Sequence, residues 1–220
     1  MPVEPNDILH VLAHELRTPV GIAHGYVRLL LDDKLPQEAD RRRALEQMQK
    51  ALRRLSDLSQ ETTALASWYD EGCAGDSQYV DVGGLVDRIA GAPYEFPVTV
   101  HVTDIPDHAT VRTPDPTILT NALISIVHAT ARELRGQPCT VLARVRDERL
   151  EMLTGPDHLL GTLGDGPTAA EASPLGLERG GLGLALVHAA VILDAHHAER
   201  WTMNSSRQTV GVRLPLERHP

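Results

Sequence analysis

The sequence predicts an α+β protein in two parts. The first is an antiparallel helical hairpin that dimerises into a four-helix bundle. The second is an α/β sandwich with helices on one face of a sheet. Three observations carry this. The first seventy of 220 residues have helical apolar spacing, and beyond Val80 short alternating segments mix with helical ones. A glycine turn, Gly180-Gly181-Leu182-Gly183, stands directly before an apolar run.

In the first helix, Ile8, Leu12, Leu16, Ile22, Tyr26 and Leu30 form the stripe, with Asn6 or Asp7 as its cap. Pro19 falls inside and should bend the helix rather than end it, because the pattern resumes. Asp32-Asp33-Lys34-Leu35-Pro36 reads as a turn. The second helix carries Leu45, Met48, Leu52 and Leu55, spaced as a heptad seam and continued weakly by Ser59 and Thr62. A hairpin alone buries little, so a homodimer is expected. Tyr69–Gln78 reads as a linker, dividing the chain into residues 1–70, 71–79 and 80–220.

Further on, Val82–Ile89 reads as a helix, and Val98–Val102 and Ala109–Arg112 read as strands. Asp115-Pro116 opens a helix running to about Leu134. Val141–Val145 and Leu150–Leu153 form a hairpin. Residues 155–180 read as a long loop, Leu182–Leu193 as a helix and Thr209–Leu214 as a last strand.

Composition narrows the function. With 21 basic and 30 acidic residues the net charge is −9, opposite in sign to a nucleic-acid binder. Nine basic and eleven acidic residues lie in 1–70, so the acidity concentrates in the second part. No apolar run approaches the ~20 residues of a membrane span, so no membrane association is expected. Cys73 and Cys139 form no CxxC pair, which points to a reducing cytoplasm. His10 and His14 are four apart on a helix, a spacing that chelates metals, but no third ligand has a matching spacing, so no metal is expected.

The chemistry concentrates in His14-Glu15-Leu16-Arg17-Thr18-Pro19. A neutral imidazole is a nucleophile near pH 7. Glu15 is placed to bond the ring nitrogen that does not attack, and Thr18 shares the face of His14 one turn on. On a helix, Leu12 and Leu16 point away from His14, which should leave it exposed.

This box resembles the phosphoacceptor box of the sensor histidine kinases. The helical hairpin, the Asp115-Pro116 helix, the glycine turn and the closing Val212-Arg213-Leu214-Pro215-Leu216 follow in that family's order, over residues 6–216. The resemblance implies a dimerisation and phosphotransfer hairpin, then a Bergerat-type ATPase domain. His14 would be the phosphoacceptor, with Glu15 and Thr18 as its catalytic partners. Gly180, Gly181 and Gly183 would cradle an ATP triphosphate. Arg132 would stand where a phosphate-contacting lysine is usual. A response-regulator receiver domain, and an upstream kinase, would be partners.

The nucleotide site departs from the family. The resemblance puts a Mg²⁺-binding asparagine at Ala129, and no asparagine lies between 122 and 203. It puts the adenine-reading aspartate at Leu153, unless the loop slips to Asp157. ATP and Mg²⁺ binding is therefore expected to be weak. Three functions stay open: a phosphorelay protein without its own nucleotide chemistry, an autokinase that substitutes His128, Asp157 or water, and a non-enzymatic dimeric binding module.

Overall fold

The computed structural model describes residues 3–71, 76–160, 172–173, 175–177, 179–203 and 208–217. Helix α1 spans Pro5–Leu31 and α2 spans Glu38–Glu71. Neither expected cap serves α1: Glu4 is its N-cap without a side-chain bond, and Pro5 starts the helix. Proline suits that place because its missing N–H would be unpaired anyway. Asp7 sits in the first turn, where the helix dipole favours a negative charge. The helix continues through buried Pro19.

Within one chain, the face of α2 that packs on α1 is a second stripe beside the expected seam. Ala44, Ala51, Leu58 and Leu65 are buried at seven-residue intervals, with Met48, Leu55 and Thr62 half-buried between them. Alanine at two layers lets α1 approach closely. Leu45 and Leu52, one step round the helix, stay 56% exposed. Of the expected seam, Met48, Leu55 and the weaker Thr62 also line this inward face, and Ser59 is exposed.

The second part is a six-stranded sheet in the order β2-β4-β5-β8-β7-β6 beside a β1–β3 pair. The strands are β1 (Gln78–Asp81), β2 (Val98–Thr103), β3 (Thr110–Thr113), β4 (Cys139–Arg146), β5 (Arg149–Gly155), β6 (Ala172–Ser173), β7 (Glu199–Met203) and β8 (Val210–Pro215). Pairing is antiparallel except for β2 on β4. The helices are α3 (Val82–Ala90), α4 (Pro116–Glu133), the short α5 (Asp157–Leu160) and α6 (Leu184–Ala195). The Asp115 carboxylate caps α4, accepting from the N–H of Thr117 at 2.8 Å and of Ile118 at 3.1 Å. Asp147 and Glu148, both at positive φ, make the tight turn between β4 and β5.

One core lies between the sheet and α3, α4 and α6, built from residues such as Leu85, Leu123, Ile126, Met152, Leu186 and Val212. A second joins the hairpin to α6: Val3, Val11, Leu58 and Leu65 pack against Leu184, Val187, Ala190 and Val191. On the other face of the sheet, buried Glu151 accepts from Arg144 Nε at 2.6 Å and Arg213 Nε at 2.9 Å.

Within the expected 155–180 loop, α5, β6 and a 3₁₀ turn at Arg179–Gly181 are ordered elements. Its residues 161–171, 174 and 178 lie outside the described residues. Of the expected linker, 69–71 belong to α2 and Gln78 opens β1, while 72–75 lie outside the described residues.

His196, at the end of α6, has its ring nitrogens 2.7 Å from the Ile192 carbonyl and 2.9 Å from the Thr113 hydroxyl. Burial, helped by nearby His197 and opposed by the Ile192 carbonyl, pushes its pKa below the usual histidine value. Burial, ahead of the neighbouring charges, lowers His128 and His188 too. The unfolded chain thus takes up protons at a pH where the fold does not. Stability should be full above the ordinary histidine pKa of about 6.5 and fall as pH drops from there toward the lowered folded values. Urea midpoints at pH 7 and pH 5 check this. The midpoint should drop at pH 5, less so in His196→Gln, and an equal drop in that variant would acquit His196.

Candidate functional site

The six residues of the box lie on α1, from one turn before its middle to just past it. Leu12 and Leu16 pack toward the α6 core, and the His14 side chain faces out at 65% exposure. Thr18 is exposed one turn further on. The outward His14 follows from helical geometry, as expected from its neighbours.

Glu15 is placed differently from expectation. Its Oε1 lies 3.9 Å from His14 Nδ1, beyond hydrogen-bond reach. Its Oε2 accepts from Arg54 of α2 at 3.2 Å, and Arg54 also donates to Glu61 Oε1 at 3.0 Å. Burial pulls the Arg54 pKa down, but the hydrogen bond to Glu15 and the Glu61 charge outweigh it and raise it. The other Glu61 oxygen is buried without a hydrogen-bond partner, as is Nε2 of His188 on α6.

The glycine turn meets the box. Gly180, Gly181 and Gly183 have φ of 63°, 62° and 56°, a region costly to any side chain. A Cβ on Gly180 would lie 2.5 Å from the Ala129 carbonyl oxygen, so the turn rests directly on α4. A Cβ on Gly183 would lie 2.5 Å from the Glu15 carboxyl carbon. No side chain bonds as N-cap of α6, and the Glu15 carboxylate stands at that end. Glu133, at the end of α4, accepts from Gly180 N–H at 3.3 Å and pairs with Arg179 at 2.7 Å.

Of the expected nucleotide-binding residues, the three glycines come together, but Arg132 is engaged elsewhere, 3.1 Å from Glu95. Ala129 is fully buried in the core under Gly180. Leu153 is also fully buried, with Leu160 and Trp201, in a cluster separate from that core. Asp157 is exposed at the start of α5, and His128 packs its ring 4.9 Å from that of Tyr94. The hydroxyls of Thr154 and Thr209, beside Gly155, are buried without hydrogen-bond partners. Among the described residues no group of three or more His, Cys, Asp or Glu is arranged to hold a metal. None of their helices is long and apolar enough to cross a membrane.

Sequence reasoning missed Arg54, Glu61, Glu133 and Arg179. The Arg54–Glu61 spacing of seven places both on one face of α2, a readable signal. That this face meets Glu15 depends on the α1–α2 register, which local spacing does not give.

Comparison with known proteins agrees with this geometry. Residues 6–68 match the His Kinase A (phospho-acceptor) domain. No curated protein sequence matches the chain. Among solved structures, it is similar to the Acinetobacter baumannii histidine kinase AdeS, with TM-score 0.59 and 15% identity, over 93% of this chain and 98% of that one. Full-length ShkA in complex with AMPPNP gives TM-score 0.56 and 17% identity over 99% of this chain but 47% of that one. Histidine kinase ThkA in complex with response regulator TrrA gives 0.56 and 14%, over 94% of this chain and 60% of that one. A phosphoacceptor hairpin followed by an α/β sheet domain defines the class of protein. Residues 6–68 are similar to the His Kinase A (phospho-acceptor) domain, and the chain as a whole has the fold seen in histidine kinase structures.

The Gly183 contact predicts a local effect. Gly183→Ala combines a disallowed backbone with a clash on Glu15, costing on the order of 1–3 kcal/mol. It should speed hydrogen exchange at the start of α6 and lower the melting temperature by several degrees. Unchanged exchange there would refute the tight contact.

Proposed function

We propose that this chain is a two-component phosphotransfer protein. His14 exchanges a phosphoryl group with an aspartate of a response-regulator receiver domain, and an upstream kinase or the receiver supplies that group. The observation that carries the reading is an exposed His14 in a hairpin similar to the His Kinase A domain, beside a glycine turn that two carboxylates, Glu15 and Glu133, already occupy. In the transfer, the imidazole Nε2 lone pair attacks phosphorus and the acyl P–O bond breaks. The aspartate leaves as carboxylate, and the Nδ1 proton passes to Glu15 or water. Aspartyl phosphate and phosphohistidine are both high-energy species, so exposure and orientation matter more than driving force. The ThkA structure, in complex with its response regulator, supports a partner of this kind.

The residues present do not fit a bound ATP and Mg²⁺. Ala129 and Leu153 offer no polar group where the resemblance implies an asparagine and an aspartate. Gly180 N–H is taken by Glu133, and Glu15 stands at the α6 terminus, so a triphosphate would meet two carboxylates. Each missing directed contact commonly costs ~1–3 kcal/mol, so two weaken binding by roughly 10²–10⁴-fold. The buried, unpaired hydroxyls of Thr154 and Thr209 favour the second reading, an autokinase with a divergent site.

The experiment is transfer from a panel of phosphorylated receiver domains of the same organism, with calorimetry against ATP and Mg²⁺. Label should reach the wild-type chain and not His14→Gln. Glu15→Gln should slow transfer, within the ~10²–10⁴-fold typical of proton management. Equal labelling of His14→Gln would sink the assignment. A micromolar ATP dissociation constant would promote the autokinase.

The reading includes a homodimer through the hairpin. Leu9, Val20, Val27 and Leu31 of α1 form an exposed apolar stripe, and Leu45 and Leu52 lie exposed on α2. Sedimentation should give a dimer, and the double variant Leu45→Glu, Leu52→Glu should give a folded monomer. A wild-type monomer at tens of micromolar would contradict it.

A further inference from the structure

Glu15 divides its two oxygens. Oε2 is held by Arg54, reaching across from α2, while Oε1 faces His14 Nδ1 at 3.9 Å. Arg54 is itself fixed by Glu61 at 3.0 Å, seven residues on along its own helix. The carboxylate also has Gly183 against it, at a position that tolerates no Cβ. Glu15 is thus restrained by a charged fork on one side and by backbone on another. The freedom left to it points one oxygen at the histidine.

We propose that Arg54 is a positioning residue for phosphotransfer. It anchors Glu15 so that a small movement of the His14 side chain closes the 3.9 Å gap and makes the Nδ1–H to Oε1 bond. That bond fixes the tautomer with the lone pair on Nε2, the outward nitrogen, and gives the Nδ1 proton an acceptor. This is the arrangement of nucleophile, base and orienting group, with guanidinium as the third member. The planar fork of arginine suits it, because one side chain serves two carboxylates at once. Glu61 has the same role toward Arg54 that Arg54 has toward Glu15. The inference rests on His14 as phosphoacceptor.

The test needs no protein partner. Phosphoramidate phosphorylates histidine directly: Nε2 attacks phosphorus, the P–N bond breaks, and ammonia leaves. The ammonia ends as ammonium, taking the Nδ1 proton by way of Glu15. Site-resolved mass spectrometry on the full chain compares His14 with His24, an exposed histidine of the same helix that serves as an internal reference. In the wild type, His14 should label faster than His24. Arg54→Met should slow His14 roughly tenfold, a part of the ~10²–10⁴-fold range of proton management, and leave His24 unchanged. Arg54→Lys should recover part of the rate, since it keeps the charge without the fork. Arg54→Met in a Glu15→Gln background should add nothing, because both act through one carboxylate.

A wild-type rate at His14 in Arg54→Met, or slowing that adds to that of Glu15→Gln, would overturn the positioning role alone. A wild-type His14 that labels no faster than His24 would instead remove the phosphoacceptor reading, and the positioning role with it.

Discussion

Helix α6 is apolar on both sides, and the site depends on that. Leu186, Ala189, Ile192 and Leu193 face the sheet core, while Leu184, Val187, Ala190 and Val191 face the hairpin. A helix hydrophobic all round must be covered all round. Once α4 and the sheet cover one side, the hairpin is the remaining cover for the other. That packing brings the first residue before α6, Gly183, onto Glu15 of α1. The meeting of glycine turn and phosphoacceptor box is therefore a consequence of apolar burial. The ion pairs around it refine the position and do not create it.

Charge then decides what the meeting place can hold. Backbone N–H groups at a helix start attract anions. Here the anions are supplied by the chain itself: Glu15 at the start of α6 and Glu133 on Gly180. Arg54 and Arg179 neutralise them from behind, each at hydrogen-bond distance. The result is a set of short, locally balanced pairs. In this set each carboxylate at the turn has its own guanidinium partner.

Much of this was legible in the sequence, and the misses have physical causes. Periodicity located every helix of eight residues or more and the β4–β5 hairpin, because their apolar spacing is regular. The α2 face that packs on α1 was not read, because leucine outweighs alanine in any count of hydrophobic residues. At a close helix crossing the small residue belongs inside, as Ala44 and Ala51 do. Strand β7 was missed because Glu199, Arg200 and Thr202 dilute its pattern, and its place comes from pairing with distant β8. The exposure of His14 needed only the helix angle. The attachment of Glu15 to Arg54 needed the register of two neighbouring helices at residues 39 positions apart in the chain, which local pattern does not carry.

The departures at Ala129 and Leu153 have a reading in stability as well as in binding. A buried amide or carboxylate without a ligand leaves polar groups unsatisfied, at roughly 1–3 kcal/mol each and more for a charge. Ala129 and Leu153 are fully buried and carry no such groups. Ala129 instead lets Gly180 lie directly on α4, and Leu153 fills an apolar cluster with Leu160 and Trp201. At these two positions the sheet domain is therefore held by packing and carries no side-chain polar group that needs a partner. The same packing keeps α6 apolar on both sides and sets the glycine turn against α1.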